Sequence, residues 1–133
     1  MNPPQGTNVV DSCGWLEYFA NGNNAGFFAP ILEATESLIV PSLSVFEVCK
    51  RVVLLRGELA AQQAADFMSR GEIVGLNADT ALAAALYSAK HQLPMADSII
   101  LLTAQNHQAT LWTQDADLKG HKGVKYKAKA KAA

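Results

Sequence analysis

The sequence predicts an α/β fold: a three-layer sandwich whose central, mostly parallel sheet of four to five strands is flanked by helices. Short β-branched runs alternate along the chain with longer stretches of helical periodicity, the pattern of strands joined by crossover helices. With 133 residues, half of them hydrophobic, the chain is long enough to bury a core. No apolar run approaches the ~20 residues that span a bilayer, and the first residues lack a signal-peptide pattern, so we expect a cytoplasmic protein.

The elements follow in chain order from these patterns. Strands are predicted at 7–10, 38–40, 73–76 and 110–113, with an edge strand at 124–126, where lysines are tolerated. Helices are predicted at 12–20, 27–35, 42–56, 59–68, 77–89 and 96–105. We expect the hydroxyl of Ser12 to cap the first helix, and Ser42 or Ser44 to cap the third, which Gly57 ends.

Charge is distributed unevenly along the chain. Residues 1–117 contain five basic and all 12 acidic residues, a net charge of −7, whereas the six remaining basic residues are lysines after position 118. We expect one domain, 1–126, and a basic, flexible C-terminal tail, 127–133. Two interpretations of this tail stay open: a solvated, frayed terminus, or a segment that steers a phosphate backbone toward the rest of the protein.

Four carboxylates interrupt apolar segments: Asp11, Glu47, Asp97 and Asp115. A buried ionised carboxylate costs free energy unless it is paired or binds a metal, and basic residues are scarce nearby. Two of the four follow predicted strands and two lie in the first turns of helices, so we expect them at the sheet edge where ligands bind in open α/β folds. Carboxylate oxygens suit Mg²⁺, or Mn²⁺ in its place, whereas the histidines and cysteines lack zinc-ligand spacing.

Each acid also has an ordinary structural interpretation. Asp11 could cap the first helix, Asp97 could be a first-turn acid, and Asp115 and Asp117 could be turn residues. These separate roles do not predict that the acids share one edge of a sheet, which a metal site does. An Asp-based phosphatase of the haloacid-dehalogenase type expects a second Asp where the chain has Cys13. A receiver-type phosphotransfer domain expects a paired acid and a late lysine that are not evident.

Five segments in order resemble the PIN-domain family, specifically the VapC-type toxin ribonucleases of bacterial toxin–antitoxin pairs. They are residues 9–19 (VVDSCGWLEYF), 41–48 (PSLSVFEV), 93–100 (LPMADSII), 111–118 (LWTQDADL) and 123–126 (GVKY). The first resembles an opening of the form (V/L)-D-(S/T)-S-x-W, with Cys13 in place of the second serine. The fourth resembles (L/I)-x-T-x-(D/N)-x-D-(F/L), with Leu118 in place of the commoner phenylalanine.

The resemblance implies a PIN-like fold and a magnesium-dependent endoribonuclease that hydrolyses RNA phosphodiesters with metal-activated water. It further implies a toxin that forms a homodimer and is held by a cognate antitoxin, with no membrane association. A non-catalytic PIN-like module that works by binding a partner is the alternative. Four mutually repelling carboxylates argue against it, because binding alone has no need of them.

Site residues carry over from the same motifs. The acidic quartet would be Asp11, Glu47, Asp97 and Asp115. Asp11 and Asp97 would be direct metal ligands, and the other two would complete the site through water or hold a second ion. Ser12 and Thr113 would orient these carboxylates or contact a phosphate. Asp117 is a second candidate for the fourth acid.

Overall fold

The computed structural model describes residues 6–130, which contain five short parallel strands. They are β1 (Asn8–Val10), β2 (Ile39–Pro41), β3 (Glu72–Val74), β4 (Thr110–Thr113) and β5 (Val124–Tyr126). Two ladders form, one in the order β1-β4-β5 and the other joining β2 to β3. A parallel bridge between Asn8 and Leu38 links the ladders, so the strands run in the order β3-β2-β1-β4-β5. The predicted parallel sheet, with β5 at its edge, is confirmed.

Within the described residues, six α-helices surround the sheet. They are α1 (Ser12–Phe19), α2 (Ala25–Glu33), α3 (Ser42–Arg56), α4 (Glu58–Met68), α5 (Ala78–His91) and α6 (Met95–Asn106). Adjacent residues of β1 point to opposite faces: Val10 packs with buried residues of α1–α4, whereas Val9 packs with those of α5 and α6. The three-layer prediction is therefore confirmed. No helix among the described residues is long and apolar enough to cross a membrane.

The predicted helix caps at serine are wrong. Asp11 caps α1, because its backbone is extended and its carboxylate accepts the amide proton of Ser12. The third helix begins directly after Pro41 without a side-chain cap. Ser44 lies inside that helix, and its buried hydroxyl has no hydrogen-bond partner among the described residues. The second helix begins and ends two residues earlier than predicted, because a 3₁₀ turn at Thr35–Ser37 leads the chain into β2.

Close packing of α1 holds the carboxyl end of β1 in place. A Cβ built on Gly14 would lie 2.6 Å from side-chain atoms of both Phe28 and Val10, so glycine is required for this approach. The first turn of α1 therefore lies tightly between β1 and α2. Asp11, between Val10 and the helix, is fixed by this contact.

The chain continues along the sheet after β5. The amide of Lys127 donates to the carbonyl of Thr113 over 3.0 Å, and Nδ2 of Asn24 donates to the carbonyl of Ala128 over 3.0 Å. Residues 127–130 of the predicted tail thus contact β4 and the loop before α2. Residues 131–133, and residues 1–5 of the predicted domain, lie outside the described part of the chain.

Candidate metal centre

Three carboxylates meet at the carboxyl ends of the central strands. Asp11 follows β1 and Asp115 follows β4, its hydrogen-bonded neighbour, while Asp97 lies in the first turn of α6. One carboxylate oxygen from each lies within 4.8 Å of the other two. Segments separated by about 85 and 18 residues along the chain are therefore brought together by the parallel sheet.

Asp11 is held by three neutral hydrogen-bond donors. Its side chain is 4% exposed. Its Oδ1 accepts from the amide of Ser12 over 2.8 Å. Its Oδ2 accepts from Oγ1 of Thr113 over 2.9 Å and from the Cys13 thiol over 3.2 Å. These bonds fix the orientation of the carboxylate without neutralising its charge.

Thr113 connects two of the acids. Its buried hydroxyl donates to Asp11 and accepts from the amide of Asp115 over 2.9 Å. The carboxylate Oδ1 of Asp115 in turn accepts from the amide of Asp117 over 2.9 Å. Asp115 therefore lies in the acidic group, whereas the side chain of Asp117 is exposed and lies outside it.

Burial and mutual repulsion disfavour the ionised acids. Burial raises the pKa of Asp97 to about 7, with further contributions from the charges of Asp115 and Asp11. Burial is also the largest influence that raises the pKa of Asp11, and the charge of Asp115 adds to it. A divalent cation between these carboxylates would offset both effects, because it is attracted to the form that burial disfavours.

Glu47 lies beside the three acids and is not part of their group. It is half-buried in the second turn of α3, and its Oε1 accepts from Oγ of Ser12 over 2.7 Å. The Ser12 backbone and hydroxyl thereby connect Glu47 with Asp11. The structure thus brings together three of the four predicted acids and links the fourth to them through one serine.

The donor set fits a hard divalent cation. Three carboxylate oxygens converge, and carboxylates are typical ligands of Mg²⁺. The sulfur of Cys13 does not change this preference, because burial raises the pKa of its thiol to about 12 and keeps it protonated. Three protein ligands would leave coordination positions open for water or other oxygen ligands.

Two polar contacts at this site were missed by the sequence analysis. Cys13 stands in the sequence only as a replacement for the family's serine, and in the structure it donates a hydrogen bond to Asp11. The signal for this was its position, where the resembled family has a hydroxyl. The second contact is made by Gln114, which is buried and whose Oε1 accepts from Nδ2 of Asn24 over 3.0 Å. No local pattern connects Asn24 and Gln114, which are 90 residues apart.

The family assignment follows from comparison with known proteins. The PIN domain family matches residues 9–123, and the chain therefore belongs to the PIN-domain family. This confirms the resemblance to the PIN-domain family that the sequence segments indicate. No curated protein sequence matches the chain.

Several solved structures share the fold. One, from a toxin–antitoxin complex of Klebsiella pneumoniae, has 23% identity and a TM-score of 0.73 over 89% of this chain and 95% of the other. VapC20 of Mycobacterium tuberculosis, a toxin that cleaves the sarcin–ricin loop, has 15% identity and a TM-score of 0.74 over 89% and 97%. VapBC2 of Rickettsia felis, bound to a promoter DNA fragment, has 15% identity and a TM-score of 0.70 over 92% and 98%. At these identities the likeness is one of fold.

Proposed function

We propose that this chain is a magnesium-dependent endoribonuclease and the toxin of a toxin–antitoxin pair. The observation that carries the nuclease proposal is the convergence of Asp11, Asp97 and Asp115 within 4.8 Å, with the pKa of Asp97 raised to about 7. Such a group is costly without a cation, and strongly shifted pKa values concentrate at functional sites. Membership of the PIN-domain family supports the same reaction class.

The chain's residues would divide the work at the site. Asp11 and Asp97 would hold the ion, and Asp115 would complete the site directly or through water. When bound, Mg²⁺ supplies positive charge to a phosphodiester oxygen and acidifies water. Thr113 would hold Asp11 and Asp115 in fixed positions relative to each other. Ser12 would orient Glu47 toward water or a second ion. Mn²⁺ would serve in place of Mg²⁺, because both favour oxygen ligands.

The toxin proposal is supported by the solved relatives and by exposed apolar side chains on two pairs of helices. One set lies on α3 and α4, which with α1 line a cavity of about 290 Å³: Phe46, Val53, Leu54, Leu55 and Leu59. The other set lies on α5 and α6: Leu82, Leu86 and Met95. Clusters of exposed apolar side chains mark protein interfaces. A cognate antitoxin and a second copy of the chain are the partners we propose for these helices, with RNA as the substrate, in the cytoplasm.

Charge-removing substitutions test the nuclease proposal. We expect Asp11→Asn and Asp97→Asn each to reduce Mg²⁺-dependent RNA cleavage by more than the ~10–100-fold typical of residues that act outside the ligand shell. Asp66→Asn and Asp79→Asn are matched controls, because both carboxylates are exposed and lie outside the acidic group. EDTA should abolish wild-type cleavage, and circular dichroism should show an unchanged fold. Cleavage by Asp97→Asn at the wild-type rate would overturn the assignment.

Growth assays test the toxin proposal. Induced expression of the wild-type chain in a bacterium should arrest growth and produce RNA fragments. Asp97→Asn should do neither, and co-expression of the neighbouring gene's product should relieve the wild-type arrest. Arrest that persists with Asp97→Asn would show that toxicity does not depend on the acidic group.

A further inference from the structure

Three lysines are spaced at alternate positions at the end of the chain. Lys125 lies in β5, and Lys127 and Lys129 follow it. In an extended chain alternate residues share a face and lie about 7 Å apart, which is comparable with the distance between successive phosphates of an extended nucleic-acid strand. We call Lys125, Lys127 and Lys129 the lysine row.

Two aromatic rings support the row. The Nζ of Lys125 lies 5.0 Å from the ring centroid of Trp112, and the Nζ of Lys127 lies 5.8 Å from that of Phe27. The two rings contact each other, with centroids 5.3 Å apart. Ring faces attract ammonium groups, so Lys125 and Lys127 are held on one face of the sheet.

The row leads to the carboxyl ends of the central strands, where the acidic group lies. Strands β4 and β5 are parallel, with Lys125 opposite Trp112, so the chain after β5 runs toward the carboxyl end of β4. There the amide of Lys127 donates to the carbonyl of Thr113, whose hydroxyl holds Asp11. Lys129 lies beside Gln114, the residue before Asp115, where both line one cavity of about 440 Å³.

The charge of the row is only partly offset by neighbouring acids. No Asp or Glu follows Asp117 in the sequence. Glu17 lines the cavity that contains Lys129, but its Oε2 accepts from the amide of Asn24 over 2.8 Å. The rest of the protein is acidic and would repel a phosphate backbone, so the row is the favourable approach for RNA.

We propose that Lys125, Lys127 and Lys129 bind consecutive phosphates of single-stranded RNA and guide the strand to the acidic group. The proposal rests on the proposed nuclease function. A single line of ammonium groups matches one backbone, whereas a duplex presents two. An acidic protein segment is the competing occupant, and it lacks the regular spacing of charges that the row matches.

Binding measured without cleavage tests the row. Fluorescence anisotropy of a labelled single-stranded RNA in EDTA compares the wild type with the triple variant Lys125→Gln, Lys127→Gln, Lys129→Gln. Losing three phosphate contacts should weaken binding on the order of tenfold and flatten the slope of log K against log salt by about 2. A control with the same charge change should bind like the wild type. It carries Lys50→Gln, Lys90→Gln and Lys122→Gln, all at exposed positions.

A second readout separates this proposal from the nuclease proposal. Hydrolysis of bis-p-nitrophenyl phosphate, a single diester with no neighbouring phosphates for the row to bind, should be equal in the triple variant and the wild type. If the wild type cleaves neither RNA nor the small diester, the nuclease proposal fails. If the wild type cleaves both substrates, and the triple variant binds RNA as tightly as the wild type with the same salt slope, the RNA-binding role of the row is overturned. If the triple variant binds RNA like the wild type but no longer binds polyglutamate, the row binds an acidic protein segment. That result would also overturn the proposal that the row binds RNA.

Discussion

The acidic group and the lysine row lie at the same end of the sheet, yet they are built in opposite ways. The acids come from three distant segments, are at least half-buried and are positioned by neutral donors such as Thr113. The lysines come from one continuous segment, and Lys125 and Lys127 are exposed above aromatic rings. Buried like charges require the whole fold to hold them, whereas exposed charges require little support.

Because the two regions are built differently, mutations in each should change different properties of the protein. Changes in the acidic group should alter metal binding, cleavage and the pH dependence of stability. Changes in the row should alter RNA binding and its salt dependence, with little effect on stability. A phosphodiester bound with its metal would satisfy both regions, because the ion would neutralise the acids and the phosphates would neutralise the lysines.

The largest difference between an effect on RNA cleavage and an effect on RNA binding is expected for Thr113→Val. This change removes the hydroxyl that donates to Asp11 and accepts from the amide of Asp115. We expect RNA cleavage in Mg²⁺ to fall by about 10–100-fold, as for other residues that orient metal ligands. RNA binding in EDTA should be unchanged. Thr110→Val, on the same strand, is the control and should leave both measurements at the wild-type level.

Two results would contradict that separation. Full cleavage by Thr113→Val would show that its hydroxyl does not position the acids. Weaker RNA binding in EDTA would show that the acidic group and the row are not independent.

A medium effect is expected on the stability of the metal-free protein. The pKa of Asp97 is about 7 in the fold, mainly because of burial, against an ordinary value of 3.8. The folded state therefore holds this proton more tightly than the unfolded state, so the free energy of unfolding falls as pH rises from 3.8 to about 7. Asp97→Asn removes this penalty. In EDTA at high pH it should be more stable than the wild type by about 1 kcal/mol, a value reduced for solvent screening of a half-buried group.

Urea denaturation at acidic and alkaline pH checks this sign. The advantage of Asp97→Asn should vanish in acid, where the wild-type carboxyl is protonated, and Mg²⁺ should stabilise the wild type more than the variant. Asp79→Asn is the control, because that carboxylate is exposed in the first turn of α5. An equal difference between Asp97→Asn and the wild type in acid and in alkali would refute the assignment of the shift to Asp97.

The smallest effect is expected for Phe27→Leu. This change removes the ring beneath the ammonium group of Lys127 and keeps an apolar side chain. A cation–π contact at an exposed site contributes about 0.5–1 kcal/mol, so RNA binding should weaken about two- to fivefold. Phe46→Leu is a matched control, because Lys50 lies 5.9 Å from the Phe46 ring on α3. If both variants weaken RNA binding equally, the support from Phe27 is not specific to the row.

Much of the fold could be predicted from local pattern, because strand and helix periods are properties of neighbouring residues. Local pattern left Ser12 and Asp11 both possible as the cap of α1, and the choice depends on a tertiary contact, because Ser12 directs its hydroxyl to Glu47, 35 residues away. Glu47 interrupts an apolar segment just as the other three acids do, so sequence pattern does not distinguish it from them. Only the tertiary packing places its carboxylate outside their group. The positive charge of the lysines is evident from the sequence. The rings that contact Lys125 and Lys127 are not, because they come from β4 and α2. The roles of the site residues stay predictions.

Crystals grown in Mn²⁺ give the most direct test that the acidic group is a metal site. Anomalous scattering should show a peak bound by carboxylate oxygens of Asp11 and Asp97, at the ~2.0–2.2 Å typical of small divalent ions, with Asp115 as ligand or one water away. The peak should disappear in crystals of Asp97→Asn. A wild-type structure in Mn²⁺ with no peak among these three carboxylates would contradict the proposal.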